Sequence, residues 1–228
     1  MIPDKNTFIA SQNGYPDKDY EALVKRLRSG FSQAEYIDIS ALLSADDFYY
    51  TDSHWRQERI LTVADEIADK MGAERIGQCE KHDTGVSFYG VYYGQAALPH
   101  APESLFYLDN AVIRGLKVYN VETSSDIPVY DLGAAAGRDP YEMFLGGARS
   151  IIRITNPNTT KKRRLIVFRD SFGSSIAPLI AAGYSEITLV DIRYISPSSL
   201  GKLIDFTKTD DALFLYSASV INNSETIK

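Results

Sequence analysis

From residue 164 to residue 216 the chain alternates apolar, β-branched runs with stretches of helical pattern, and this alternation limits its possible folds more than any other feature. Strand candidates at 165–168, 186–192 and 212–216 are separated by helix candidates at 174–182 and 197–206. A strand that returns parallel to its neighbour needs a crossover of about a dozen residues or more, and a helix of this length supplies it. The pattern therefore predicts an α/β domain with a mostly parallel sheet and helices on its faces. Pro178 stands inside the first of these helices; lacking an N–H and crowding the preceding turn, it should kink the helix or delay its start.

At 228 residues the chain can bury a full core, and one domain spanning 1–228 is the simplest division. Residues 15–29 read as a helix, opened by Asp17, Asp19 and Glu21 and closed by Lys25, Arg26 and Arg28, with Gly30 beyond its end. A short strand is expected at 36–39. Residues 56–71 form the strongest helical pattern, with Ile60, Ala64, Ile67 and Met71 on one face and Gly72 as its stop. The stretch 84–132, rich in Tyr, Gly, Val and Pro, reads as an irregular and β insertion with strands near 86–89, 104–108 and 115–120. Asp139-Pro140-Tyr141-Glu142 has the order of a helix start: an N-cap, a proline at N1 and an acid at N3. Strand candidates at 150–155 and 165–168 flank an Asn156-Pro157-Asn158 turn, which predicts a hairpin.

The net charge of −6 argues against a protein that tracks nucleic-acid phosphates. Cys79 is the only cysteine, so no intrachain disulfide can form. No apolar run reaches the ~18 residues of a membrane span. The opening Ile2-Pro3-Asp4-Lys5 resembles the end of a strand, which suggests a piece of a longer chain with an export or anchor segment upstream. His82 and His100 have no Cys or His partner at ligand spacing, so neither a metal nor another cofactor is expected. The glycines at 133 and 137 lack the Lys-Ser/Thr ending of a phosphate loop.

Two motifs carry chemistry. Thr51-Asp52-Ser53-His54-Trp55 offers a carboxylate and an imidazole two residues apart, and in an extended segment that spacing points both to one side. Arg169-Asp170-Ser171-Phe172-Gly173 follows the most core-like strand, where functional groups collect at the carboxyl end of an open sheet. A serine hydroxyl is a poor nucleophile until a base takes its proton, and an imidazole does so best when a carboxylate fixes its tautomer. Ser171, His54 and Asp52 are thus candidates for nucleophile, base and acid. The plain alternative at both places is helix capping, for which Asp and Ser are common. Trp55, the only tryptophan, is either a core anchor or a sugar platform.

Four motifs in order carry a family resemblance. They are Tyr49-Tyr50-Thr51-Asp52-Ser53-His54-Trp55, Phe144-Leu145-Gly146-Gly147, Val167-Phe168-Arg169-Asp170-Ser171-Phe172 and Val190-Asp191-Ile192-Arg193-Tyr194. With them the chain resembles the bacterial DHHW-type proteins, which look like relatives of the alginate O-acetyltransferases in the SGNH hydrolase superfamily. The resemblance implies a three-layer, flavodoxin-like α/β domain with Asp52, His54 and Ser171 as acid, base and nucleophile. It further implies acyl, chiefly O-acetyl, transfer or ester hydrolysis on a cell-envelope or extracellular polysaccharide, outside the cytoplasm, with a membrane-bound acyltransferase as partner. A catalytically silent carbohydrate-binding or envelope-assembly protein is the rival from another class. Ser53 stands where the family name has a second His. No Asn is available in the Gly146-Gly147 segment as an oxyanion donor, so backbone N–H groups of Ser171 and of Gly146 or Gly147 would serve. Arg193 and Tyr194, following an apolar strand, are candidates for orienting substrate.

Overall fold

The computed structural model describes residues 1–97 and 99–223. Among them, β1 (Glu80–Phe88) and β2 (Glu103–Asp109) pair antiparallel as a separate two-stranded sheet. Six more strands build the central sheet: β3 (Lys117–Asn120), β4 (Ser125–Ile127), β5 (Ile151–Thr155), β6 (Arg164–Arg169), β7 (Glu186–Val190) and β8 (Asp211–Leu215). Their order is β4-β3-β5-β7-β6-β8. The helices are α1 (Tyr20–Gly30), α2 (Leu61–Lys70), α3 (Val91–Ala96), α4 (Ala111–Gly115), α5 (Leu132–Ala135), α6 (Phe172–Ile176), α7 (Pro197–Leu200) and α8 (Ala218–Asn222).

The sheet is mixed, which corrects the expectation of a mostly parallel one. Only β6 pairs parallel, to β7 on one side and β8 on the other, while β4-β3, β3-β5 and β5-β7 are antiparallel. The division follows the connections. Helical crossovers join β6 to β7 and β7 to β8, whereas β3 and β4 are linked by a short turn that needs no crossover. The hairpin expected between 150–155 and 165–168 does not form. β7 lies between β5 and β6, with Ile152 opposite Leu189 and Val167 beside Leu189 on the other edge. The stretch 84–132 is divided: β1 and β2 stand apart, while β3 and β4 complete the central sheet.

Alternation along the strands explains how both faces are covered. Leu165 and Val167, Ile187 and Leu189, Leu213 and Leu215 join Val63, Ile67, Leu179 and Ile180 in the main core. Ile166 and Val190 face the other way with Leu200 and Ile204. Burying such side chains contributes roughly 1.5–3 kcal/mol each, so the sheet centre is the most stable support the fold offers.

Several helices are shorter than the pattern predicts, for local reasons. Asp19 accepts the Ala22 N–H and so starts α1 there, while Asp17 is occupied by the Lys18 N–H. No strand forms at 36–39; Asp38 takes the Ser40 N–H and hydroxyl, a side-chain turn that competes with pairing. Residues 57–59 form a 3-10 turn ahead of α2, with the buried Gln57 side chain bonded to Ser175 O and Leu108 N. After α6 the chain tightens into a 3-10 stretch, Ala177–Gly183, at Pro178.

Candidate active site

β6 is the one strand with parallel neighbours on both sides, and its carboxyl end lies where the connections diverge, the usual place for a site in such sheets. Ser171 sits just past it, at the entrance to α6. Its backbone is already helical (φ −59°, ψ −27°) and its side chain makes no capping bond. Asp170 takes that duty. Its Oδ1 accepts the Phe172 N–H at 3.1 Å and its Oδ2 the Ser217 N–H at 2.8 Å, which ties the turn to the end of β8. Gly173 is required by close approach: a Cβ there would lie 2.6 Å from the Cβ of Arg169, whose stem runs beneath the helix start.

The Ser171 hydroxyl therefore remains available, and its Oγ lies 2.7 Å from His54 Nε2. On the other side of the ring, His54 Nδ1 lies 2.6 Å from Asp52 Oδ1, which also accepts the His54 backbone N–H at 2.9 Å. Asp52 Oδ2 accepts the Val91 N–H at 2.9 Å. An ionised carboxylate only accepts, so Nδ1 carries the ring proton and the Nε2 lone pair faces the serine. Asp52 is 2 % exposed. Burial pushes its pKa up, but the His54 ring, the positive charge that ring can carry, and the two backbone N–H groups outweigh burial and hold the carboxyl below its ordinary value.

Aromatic side chains fix the imidazole plane. His54 stacks on Tyr141 with ring centroids 3.9 Å apart and 14° between planes, and Phe172 packs against it at 4.9 Å. Tyr141 is anchored beneath: its hydroxyl donates to Ser175 Oγ at 2.8 Å, where the Trp55 Nε1–H also donates at 2.8 Å. Trp55 is fully buried, so its indole is a core anchor. Burial drives the Tyr141 hydroxyl well above its usual pKa, which keeps it neutral and donating.

The remaining sequence candidates make no hydrogen bond to Ser171, His54 or Asp52 among the described residues. Gly146 and Gly147 follow Leu145 in a run of three left-handed residues (φ +53°, +70° and +75°). The Gly147 N–H is taken by Phe144 O, and Gly146 lines a cleft of about 250 Å³ with Asn120, Asp131 and Arg149. No bond joins this turn to Ser171 among the described residues. The Ser171 N–H makes no protein hydrogen bond among the described residues and is the available backbone donor at the hydroxyl. Arg193 grips the buried Asp191 through Nε (2.9 Å) and Nη2 (2.6 Å), and Tyr194 is half exposed beneath the guanidinium. Tyr141, Lys5 and Glu103 also shape the site, and the sequence carries no sign of them beyond the helix start at Asp139-Pro140. No group of residues able to hold a metal occurs among the described residues, and none of their helices is long and apolar enough to cross a membrane.

Fold and site together define a mixed α/β domain with a hydroxyl, an imidazole and a carboxylate in line at the edge of its sheet. The chain belongs to the DHHW family, whose model, described as DHHW protein, matches residues 39–190. Solved structures share the fold. A DHHW family protein from Eubacterium siraeum superposes with a TM-score of 0.71 at 18% identity, covering 99% of this chain and 79% of that one. Bacillus cereus PatB1 with a sulfonyl adduct gives 0.75 at 17% identity, over 97% and 81%. The O-acetyltransferase domain of Pseudomonas putida AlgJ gives 0.53 at 10% identity, over 97% and 74%. No curated protein matches the chain in sequence.

Proposed function

We propose that the chain is a serine-dependent acyltransferase acting on O-acetyl groups of an extracytoplasmic polysaccharide, with Ser171 as nucleophile, His54 as base and Asp52 as its orienting acid. The observation that carries this reading is the unbroken line Ser171 Oγ–His54 Nε2–Asp52, with contacts of 2.7 and 2.6 Å. In the first half-reaction Ser171 Oγ attacks the acyl carbon while its proton passes to His54 Nε2. The leaving oxygen takes that proton, and the acyl group stays on the serine. In the second half a sugar hydroxyl gives its proton to His54 and attacks the acyl-serine carbonyl; the acyl–Oγ bond breaks and His54 returns the proton to Ser171 Oγ, while water in place of the sugar makes the reaction a hydrolysis. The Ser171 N–H supplies one oxyanion donor, and the sequence candidate for another is the Gly146 N–H. One donor fewer typically costs about 2.7–4 kcal/mol of transition-state stabilisation, which favours slow turnover that depends on a bound acceptor.

The likeness to a domain described as an O-acetyltransferase supports this chemistry, as does the sulfonyl adduct on PatB1, since sulfonyl reagents seal activated hydroxyls. A membrane-bound acyltransferase is the natural donor-side partner, passing acyl groups to a polysaccharide enzyme. Incubation with a fluorophosphonate tests the first half-reaction: wild type should gain one adduct on Ser171 by mass spectrometry and Ser171→Ala none. An aryl acetate with an oligosaccharide panel tests the second. Acetylated sugar supports transfer, and fast acetate release with no acetylated sugar moves the assignment to esterase. No Ser171-dependent reaction at all moves it to a silent binding protein.

A further inference from the structure

The segment that carries Asp52 has almost no regular structure of its own, yet its peptide groups are gripped from outside by two opposite charges. Lys5, from a 3-10 turn near the amino end, donates its Nζ to the carbonyls of Tyr49 (2.8 Å), Tyr50 (2.9 Å) and Asp52 (3.3 Å). Glu103, the first residue of β2, accepts the Tyr50 N–H (2.8 Å), the Thr51 N–H (2.7 Å) and the Thr51 hydroxyl (2.7 Å). Arg56 closes the same carboxylate from the far side of the His54 turn. The Thr51 carbonyl is taken by the Tyr92 N–H, and Gly90 packs so closely that a Cβ there would lie 2.3 Å from the Cβ of Asp52.

We infer that Lys5 and Glu103 are positioning residues for Asp52: a cation that takes the carbonyls of residues 49–52 and an anion that takes their N–H groups, so that the carboxylate meets His54 Nδ1. This rests on the reading of Asp52 as the acid of the site. It also gives the separate β1–β2 sheet a task, since that sheet delivers Glu103. The physical reason is entropic. A short irregular segment fluctuates unless its backbone groups are bonded, and charged partners make the stronger bonds.

The test reads the bond itself as well as the chemistry. A histidine Nδ1 proton in a short bond to a carboxylate resonates at low field, and His54→Gln identifies it against His82 and His100. The wild type should show that resonance. Glu103→Gln and Lys5→Met should lose it while keeping the wild-type far-ultraviolet circular dichroism, and Lys5→Arg should restore it. Fluorophosphonate labelling should fall roughly 100-fold in both, the scale of a misplacement of about 1 Å. If Glu103→Gln does not fold, Lys5→Met decides, because its side chain is only half buried. An unchanged resonance in folded Lys5→Met or Glu103→Gln overturns the inference, and so does its absence from the wild type. A wild type that shows the resonance but never labels at Ser171 sinks the acyl-transfer reading, and the resonance still decides the role of Lys5 and Glu103.

Discussion

Asp52→Asn isolates the tautomer argument, and its consequences can be worked from three bonds. Asp52 faces only donors: the His54 N–H and Nδ1–H at one oxygen and the Val91 N–H at the other. An asparagine offers one acceptor oxygen and one NH2. With its oxygen toward His54, the NH2 meets the Val91 N–H, and a buried donor loses its partner at about 1–3 kcal/mol. At ~2–4 °C per kcal/mol for a chain of this size, the melting point falls by roughly 2–12 °C and the protein stays folded. With the amide reversed, the NH2 faces His54 Nδ1, which must then present a lone pair. The ring proton moves to Nε2, against Ser171, and the serine has no base. A wrong tautomer of this kind costs about 10⁴-fold in rate, or ~5 kcal/mol of barrier. The assay is the pseudo-first-order rate of fluorophosphonate labelling, beside thermal unfolding of the same samples. A folded Asp52→Asn protein that labels at the wild-type rate would refute the reasoning and send the role of acid elsewhere.

Three further outcomes follow from the same geometry. The Asp52 carboxyl is held below its unfolded value near 3.8, so its stabilisation is complete above that pH and is lost as the pH falls through the folded value; urea midpoints below about pH 4 should therefore drop more steeply in wild type than in Asp52→Asn. Asp170→Ala strands the N–H groups of Phe172 and Ser217 and should lower stability by about 2–6 kcal/mol, read by urea unfolding, because each buried orphan costs ~1–3 kcal/mol. Arg193→Ala strips the guanidinium from the fully buried Asp191, leaving it the residue-193 backbone N–H at 3.1 Å and Arg169 at 3.9 Å, and should cost about 3–5 kcal/mol. Ser171 labelling should persist in folded Arg193→Ala, and its loss would instead give Arg193 a part in the chemistry.

The strands nearest the site are the most legible from sequence. β6 and β7 each carry four consecutive apolar or β-branched residues, a signal that suffices for buried central strands, and β8, at the end of the sheet, carries four as well. Asp52 and His54 are legible by residue type and two-residue spacing, but the chain between them bends instead of running extended: Asp52 Oδ1 accepts the His54 N–H, and that local turn brings carboxylate and ring together. What failed is spatial order. The Asn156-Pro157-Asn158 turn is real, but no local signal tells whether the next strand in sequence is the next in the sheet, and β7 takes that place. Helix lengths failed where side chains had distant engagements, as Gln57 does with Ser175 and Leu108. Lys5, Glu103 and Tyr141 lie far from Asp52 and His54 in sequence, and each is an ordinary residue whose meaning comes only from what it meets.

The sole tryptophan makes the molecule its own optical probe. Trp55 is sealed from water, its indole N–H is committed to Ser175, and its ring meets Phe172 edge-on at 5.3 Å, one residue beyond Ser171. All tryptophan emission therefore originates from a single place directly under the nucleophile. Emission from the native chain should be blue-shifted and poorly quenched by acrylamide. Any ligand or adduct that shifts the start of α6 changes the surroundings of that one chromophore, so occupancy can be followed continuously by light, without a label or a coupled reaction.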